Sequence, residues 1–496
     1  MQSSNAIDLR KLLYPETYFA SLSPPDLRLA LLSRHIRFGS RQPLRYLELG
    51  FGAGFSLNVH AAANDGEFWG NDFVREHVDG ASAIAGISGA NVRFLLDSFA
   101  DLLGRTDLPM FDIVAAHGIW TWVSDADRAA IVELLHRKLA PGGIFYVSYN
   151  NTAGWSSVVY LRQLMKLYVS ETGEKGSAGI TNSIAFVRAL QSAGVRYFKE
   201  NPTASAELAM MTGRDPTYLQ QEYFLDDWKL MSLAEVEKAL RPADLHFGAP
   251  FPIIAHDDQL VMGVRGQDIL ATLQSQTLRE TVRECFHGMG FRQDIFVKQA
   301  VTLTTSERRD DFRRQSFLLM AQPRNIILRG GSPWGELDLE ARGCGPVIEA
   351  LASGGGAAKS IAALEATLPL IPIDELISRI MLLTGANVVR PTLAPDEQEI
   401  AAPRCRALNA HILSTPGEKG AVLASPVLGV GVEVSRLEKI FLIEWLAGRR
   451  NLADIAAALE RACRSDLAGR SGRDVAVLIE RDHLPMFKAM GLAQED

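Results

Sequence analysis

The stretch Arg45-Tyr-Leu-Glu-Leu-Gly-Phe-Gly-Ala-Gly-Phe55 decides the fold. Tyr46, Leu47 and Leu49 spell a short, buried strand of the parallel type. Gly50, Gly52 and Gly54 follow at once and free the backbone to turn tightly and approach a ligand without a Cβ in the way. A helix begins near Phe55, so strand, loop and helix together read as a nucleotide-cofactor loop. Spacing discriminates among the cofactors. A dinucleotide fingerprint places its third small residue three positions after the second glycine, and here that position is Phe55. A phosphate-binding P-loop needs a lysine that does not follow. What remains is an acidic residue, Glu48, ahead of three alternating glycines, with a ligand-free glycine turn as the plain alternative.

From this loop outward the pattern alternates. Helix 56–63, strand 67–71, helix 74–85, strand 92–96, helix 99–103, strand 111–116, helix 125–139, a Pro141-Gly142-Gly143 turn and strand 144–149 succeed one another. That alternation predicts a doubly wound parallel α/β sheet, and such sheets bind ligands beyond the carboxyl ends of their strands. After the second strand stands Asp72, a carboxylate suited to two ribose hydroxyls or to capping a helix. After the third stand Asp97 and Ser98, where Ser98-Phe-Ala-Asp101 is also a capping-box pattern. After the fourth comes His117-Gly-Ile-Trp120-Thr-Trp122, and after the fifth Tyr149-Asn150, with Trp155 close behind. A lone aromatic reads as core. These side chains, clustered at one rim, read as the place where an acceptor meets a cofactor.

Glu48-Leu-Gly-Phe-Gly-Ala-Gly54 resembles the first motif of class I S-adenosylmethionine (SAM) methyltransferases. Phe111-Asp-Ile-Val-Ala-Ala-His-Gly-Ile-Trp-Thr-Trp-Val123, Leu139-Ala-Pro-Gly-Gly-Ile-Phe-Tyr-Val-Ser-Tyr-Asn150 and Gly154-Trp155 are similar to bacterial methyltransferases that carry a methyltransferase regulatory domain. Rickettsial outer-membrane-protein lysine methyltransferases belong to that group. Tyr218-Leu-Gln-Gln-Glu222-Tyr223-Phe224 and Phe291-Arg-Gln-Asp-Ile-Phe296 resemble the regulatory domain, and the stretch from Leu437 to Leu459 resembles its small winged-helix-like C-terminal part. The family shows Pro-Gly-Trp-His where this chain has Ala153-Gly154-Trp155-Ser156, and His-Glu-Tyr where it has Gln221-Glu222-Tyr223. The resemblance implies a seven-stranded-type SAM methyltransferase sheet over residues 1–160, a mostly helical regulatory or lid domain over 161–328, and a C-terminal α+β winged-helix-like region over 329–496 that binds substrate or partner. It also implies SAM as cofactor and S-adenosylhomocysteine as product, held by Glu48, Gly50, Gly52, Gly54, Asp72, Asp97, Ser98 and His117, with no metal.

Composition sets the outer bounds. A chain of 496 residues, 47% hydrophobic and 22% charged, has room for about three ordinary folded domains. A net charge of −7 is mild over this length and suggests no nucleic-acid or polyanion partner. The four cysteines lack metal or disulfide spacing and suit a reducing compartment. The first residues carry neither a basic nor an apolar signal region. The longest apolar run, Gly420 to Val434, is broken by Ser425 and Pro426. The expectation is a cytoplasmic protein without a membrane span, with the oligomeric state left open.

Methyl transfer from SAM is an in-line displacement at a sulfonium methyl, so catalysis is mostly positioning. A lysine amine must arrive neutral, desolvation beside aromatic rings lowers its pKa in that direction, and the rings meet the methylated product by cation–π contact. Catalytic roles are expected for Trp122, Tyr149, Glu222, Tyr223 and His117, with Glu222 or His117 accepting the proton. Acceptor contacts are expected from Tyr14, Tyr18, Trp120, Trp122, Asn150, Trp155 and Tyr218. The reading is methyl transfer to a nitrogen, with a protein lysine as acceptor. Two other classes stay open: a small-molecule O- or N-methyltransferase that uses the helical segment as a lid, and a non-catalytic SAM-binding protein.

Overall fold

The computed structural model describes residues 17–39, 43–415, 417 and 419–493. Its centre is a seven-stranded sheet built from β1 (Leu44–Leu49), β2 (Gly66–Asp72), β3 (Val92–Leu96), β4 (Phe111–Ala116), β5 (Leu139–Asn150), β6 (Leu245–Pro250) and β7 (Phe291–Lys298), in the spatial order β3-β2-β1-β4-β5-β7-β6. The first five strands pair in parallel, and β7 inserts antiparallel between β5 and β6. The expected doubly wound half is therefore present. The two closing strands come from the stretch 161–328 that the resemblance implies to be mostly helical, so the sheet is mixed and is finished almost 150 residues after β5. The Pro141-Gly142-Gly143 turn lies inside β5, which begins at Leu139 and shifts register against β4 between Phe111 and Ile113.

Both faces of the sheet are covered. Before it, α1 (Pro24–Ser33) is capped by Ser23, whose hydroxyl accepts from the Asp26 amide. The helix stops at Ser33, and Ile36–Arg37 pairs antiparallel with Val301–Thr302. Between strands lie α2 (Phe55–Ala63), α3 (Arg75–Ser88), α4 (Phe99–Gly104) and α5 (Asp125–Lys138). Ser98 and Ser124 cap α4 and α5 as short polar residues do at helix starts.

From β5 the chain passes into a helical subdomain of α6 (Thr152–Trp155), α7 (Val159–Thr172), α8 (Gly176–Ser192), α9 (Arg196–Glu200), α10 (Pro202–Met211) and α11 (Pro216–Phe224). It has its own core, in which Leu161, Met165, Ile180, Val187, Leu208 and Leu219 meet. Next, α12 (Leu233–Leu240) leads into β6, and α13 (Asp258–Ala271) and α14 (Gln276–His287) connect β6 to β7.

The C-terminal stretch does not stand apart from the cofactor half. Its long helix α15 (Pro395–Ser414) lays Ala401, Cys405 and Leu408 on Val59, Ala62 and Ala63 of α2, with Ala424 of the hairpin β8 (Ala421–Ser425) and β9 (Val430–Val434) closing the cluster. Arg404 donates to the Asn64 carbonyl at 3.0 Å and Asn64 Nδ2 to the Gly429 carbonyl at 2.7 Å. Helix α2 is thus buried on its outer side by residues more than 330 positions away in the chain. No helix among the described residues is long and apolar enough to cross a membrane.

Candidate active site

The loop between β1 and α2 turns on left-handed glycines: φ is +62° at Gly50, +60° at Gly52 and +71° at Gly54. A Cβ at Gly50 would come within 2.4 Å of Ile119 Cδ1, and one at Gly54 within 2.6 Å of Ala81 Cβ. These are conformations and clearances that only glycine satisfies without strain. The turn is tied down from β2. The Gly50 amide donates to the Asn71 carbonyl at 2.9 Å, and the Gly52 amide to Asp72 Oδ2 at 3.0 Å. Asp72 Oδ1 accepts from the Val74 amide at 2.8 Å and faces His77 Nδ1 at 3.3 Å. Three of about four lone-pair positions on that carboxylate are thus engaged, so Asp72 shapes the loop and retains about one position for a ligand.

Glu48 differs from Asp72. Burial, and then the neighbouring Asp72 charge, push its carboxyl up to about 8. Its Oε2 is buried without a hydrogen-bond partner. Buried polar atoms are nearly always paired, so an orphaned carboxylate oxygen beneath a glycine loop fits a ligand cation. The ammonium group of the methionine part of SAM has that charge, and the residues present therefore suit this cofactor.

A second wall comes from the ends of β4 and β5 and from the segment before α1. His117 Nδ1 lies 2.9 Å from the Tyr146 hydroxyl, which donates to Ser21 Oγ at 3.1 Å. The His117 ring sits 4.2 Å from Phe19 and 5.7 Å from Phe291, centroid to centroid. Burial lowers its pKa to about 4, so the imidazole is neutral near pH 7. Phe19 is held over the first turn of α2 by its amide, which donates to Ser56 Oγ at 2.9 Å, and by its carbonyl, 3.2 Å from His60 Nε2.

The rim does not gather every aromatic assigned to it. Trp120 is fully buried and packs on Phe145, with its centroid 6.1 Å away, so it belongs to the core between the sheet and α5. Trp122 is half-buried. Tyr149 is 1% exposed and its hydroxyl donates to Asp294 Oδ2 at 2.6 Å. Successive strand residues face opposite sides, so Tyr149 points away from the face shared by Tyr146, Ser148 and Asn150. Tyr18 turns toward the C-terminal hairpin, where its hydroxyl accepts from the Gly431 amide at 2.6 Å, and burial raises its pKa. Ser98 spends its hydroxyl on the α4 capping box, and Asp97 pairs with Arg105 at 3.1 Å. Tyr14 lies outside the described residues.

Asn150 is where sheet and helical subdomain meet. Its Nδ2 donates to Glu222 Oε1 of α11 at 3.3 Å. Burial lifts the Glu222 carboxyl to about 7. Beside it Trp155 packs with Tyr223 and Trp228, centroids 5.9 and 5.4 Å away, and Arg162 lies 4.1 Å over the Trp228 ring. Tyr223 donates to Glu207, and Tyr218 is 40% exposed under Arg214. The structure therefore joins Asn150, Glu222, Tyr223 and Trp155 in one corner, and leaves Trp120, Tyr18 and the Tyr149 hydroxyl outside it.

The methyltransferase domain family matches residues 47–143, and the family described as predicted methyltransferase regulatory domain matches residues 215–298. The chain is a SAM-dependent methyltransferase with a regulatory domain. The methyltransferase is 29% identical over 435 residues to the uncharacterized protein sll1526 of Synechocystis sp., covering 87% of this chain and 86% of that one. It is 27% identical over 170 residues to the uncharacterized protein RP028 of Rickettsia prowazekii, covering 34% and 67% of the two chains. Its fold is that of PKMT2 from Rickettsia typhi, solved in complex with AdoHcy: TM-score 0.67, 15% identity, 96% of this chain and 99% of that chain covered. The regulatory-domain match includes both closing strands of the sheet, β6 and β7. In this methyltransferase the regulatory segment thus completes the catalytic sheet as well as supplying Glu222.

Sequence reasoning did not find Ser21, Ser56 and His60, which fasten the N-terminal segment, nor the ion network behind Tyr149. In that network Arg292 donates twice to Asp294, at 2.8 Å each, and once to Glu284 at 3.2 Å, which also accepts from Asn151 at 2.9 Å. Alternation along β5 was the one available signal, since it already separates Tyr149 from Asn150.

Proposed function

We propose that this methyltransferase transfers the SAM methyl group to a nitrogen, and that the acceptor is a lysine side chain of a protein. Glu48, the three loop glycines and Asp72 hold the cofactor. The observation that carries the acceptor chemistry is the Asn150–Glu222 pair at the carboxyl edge of the sheet, a carboxyl lifted to about 7 by burial, with the ring of the neighbouring Tyr223 packed on Trp155. A base is most effective when its pKa lies near the working pH, and an ammonium brought beside Glu222 loses its proton to that carboxylate. His117, neutral and bonded to Tyr146, then lines the cofactor side and takes no proton from the acceptor. The resemblance to rickettsial lysine methyltransferases supports the acceptor class. Free thiols at Cys285, Cys344, Cys405 and Cys463 support a reducing, cytoplasmic setting. The test is turnover of Glu222→Gln and Asn150→Ala: Glu222→Gln loses at least about a hundredfold, the low end of general-base effects, Asn150→Ala loses turnover as well, and both retain SAM affinity. Wild-type turnover in both variants would remove Glu222 from the chemistry.

A further inference from the structure

Beyond the ends of β6 and β7 the chain encloses a cavity of about 150 Å³ that the cofactor reading does not use. Its volume lies below the roughly 300 Å³ at which pockets for whole small molecules begin, so it has room for one side chain. Its walls are apolar: Pro250, Pro252, Met289, Phe291 and Trp334. Its floor is ionic. Glu280, Glu284 and Asp294 line it with Arg283 and Arg292, one more carboxylate than guanidinium, and the side chains of four of the five are at most 5% exposed.

The guanidinium groups are committed. Arg283 pairs with Asp258 and Glu280 and donates to the Ala255 carbonyl, while Arg292 is spent on Asp294 and Glu284. Glu284 accepts from Asn151, the Leu233 amide and Arg292, all on Oε1, at 2.9, 3.0 and 3.2 Å. Its Oε2 receives no donor among the described residues, and burial raises its pKa. A small, apolar-walled cavity lined at its floor by Glu284, whose Oε2 is unshared, suits an aliphatic stem tipped by a cation.

We propose that this cavity is a second subsite, which grips a basic side chain of the acceptor protein while the methylated nitrogen occupies the Asn150–Glu222 corner. The proposal rests on the protein-acceptor reading above. Position supports it. The cavity opens at the carboxyl edge of the sheet, and Phe291, one of its walls, packs 5.7 Å from His117. Asn151 contributes to its floor directly after Asn150. Trp334 brings in the C-terminal region, so that region contributes to acceptor choice.

The experiment uses the full-length protein with S-adenosylhomocysteine bound and measures binding of capped lysine, capped arginine, capped norleucine and 1,5-diaminopentane by ligand-observed NMR. The expected order places capped lysine and arginine at least about tenfold tighter than norleucine. Trp334→Ala and Glu284→Gln should lose that preference while Trp334→Ala keeps its affinity for S-adenosylhomocysteine. Should Glu284→Gln fail to fold, Trp334→Ala alone decides. Equal binding of norleucine, equal binding by Trp334→Ala, or no binding of either basic probe overturns the subsite. Preference for the free diamine over capped lysine overturns its assignment to a protein side chain. Lysine methylation is read separately by mass spectrometry. Methylated protein with no loss in either variant refutes the subsite alone, and intact probe selectivity with no methylated lysine refutes the acceptor reading alone.

Discussion

Glu48 makes the cofactor assignment measurable through protons. Its carboxyl is raised from 4.5 to about 8, first by burial and then by Asp72. That difference corresponds to about 5 kcal/mol in favour of the neutral acid. At pH 7 a group with that pKa is about nine-tenths protonated. An ammonium or sulfonium placed beside Oε2 favours the carboxylate, so SAM binding should expel about 0.9 proton at pH 7 and about 0.1 at pH 9. Calorimetry in buffers of different ionisation enthalpy reads this number directly. Glu48→Gln keeps the shape, removes the proton release and weakens binding by about 1.5–3 kcal/mol, the worth of a hydrogen bond to a charged group. The sign for stability follows from the same shift. Without ligand, unfolded Glu48 ionises near 4.5 while folded Glu48 holds its proton to about 8, so this contribution to stability is full below pH 4.5 and is lost as pH rises toward 8. Proton uptake or none, with wild-type affinity in Glu48→Gln, would exclude Glu48 from the cofactor site.

Three further outcomes follow from particular contacts. Gly154→Ala places a Cβ 2.3 Å from the Gly290 amide nitrogen and the Met289 carbonyl carbon, rigid backbone on both counts, and should cost about 1–3 kcal/mol in denaturant unfolding. His117, held near pKa 4 by burial, should leave no inflection near pH 6.5 in the pH dependence of turnover, whereas Glu222 should give one near 7 with activity rising above it; an inflection that vanishes in His117→Gln would contradict this assignment. A chain ending near Pro323 uncovers Val59, Ala62 and Ala63 on the helix behind the glycine loop, so light scattering should show aggregation and calorimetry weakened SAM binding, while a monodisperse truncate with full affinity would show that the interface is dispensable.

The cofactor half was legible because its signals are local. Three alternating glycines, the Ser98–Asp101 capping box and the apolar runs of β1 and β4 each depend on neighbours a few residues away. The closing strands were hidden for physical reasons. β6 is short and contains Gly248 and Pro250, both poor strand residues, and β7 carries Arg292 and Asp294 at positions buried in an ion network, which spoils the expected apolar pattern. The partners that justify those charges, Tyr149 and Glu284, lie 145 and 8 residues away. Trp120 shows the opposite error: it follows a strand end, yet the turn at Gly118, with φ +65°, lies between it and the strand and its ring enters the core. Asn150 and Glu222 are each legible in the sequence, but their contact across 72 residues exists only once the helical subdomain folds back on β5.

The central claim is tested by supplying SAM with a labelled methyl group to the full-length protein and a protein extract, then mapping the label by mass spectrometry. Methylated lysine is expected in one or a few proteins, with incorporation at least about a hundredfold lower in Glu222→Gln. Label confined to small molecules, or carried on oxygen, would contradict it.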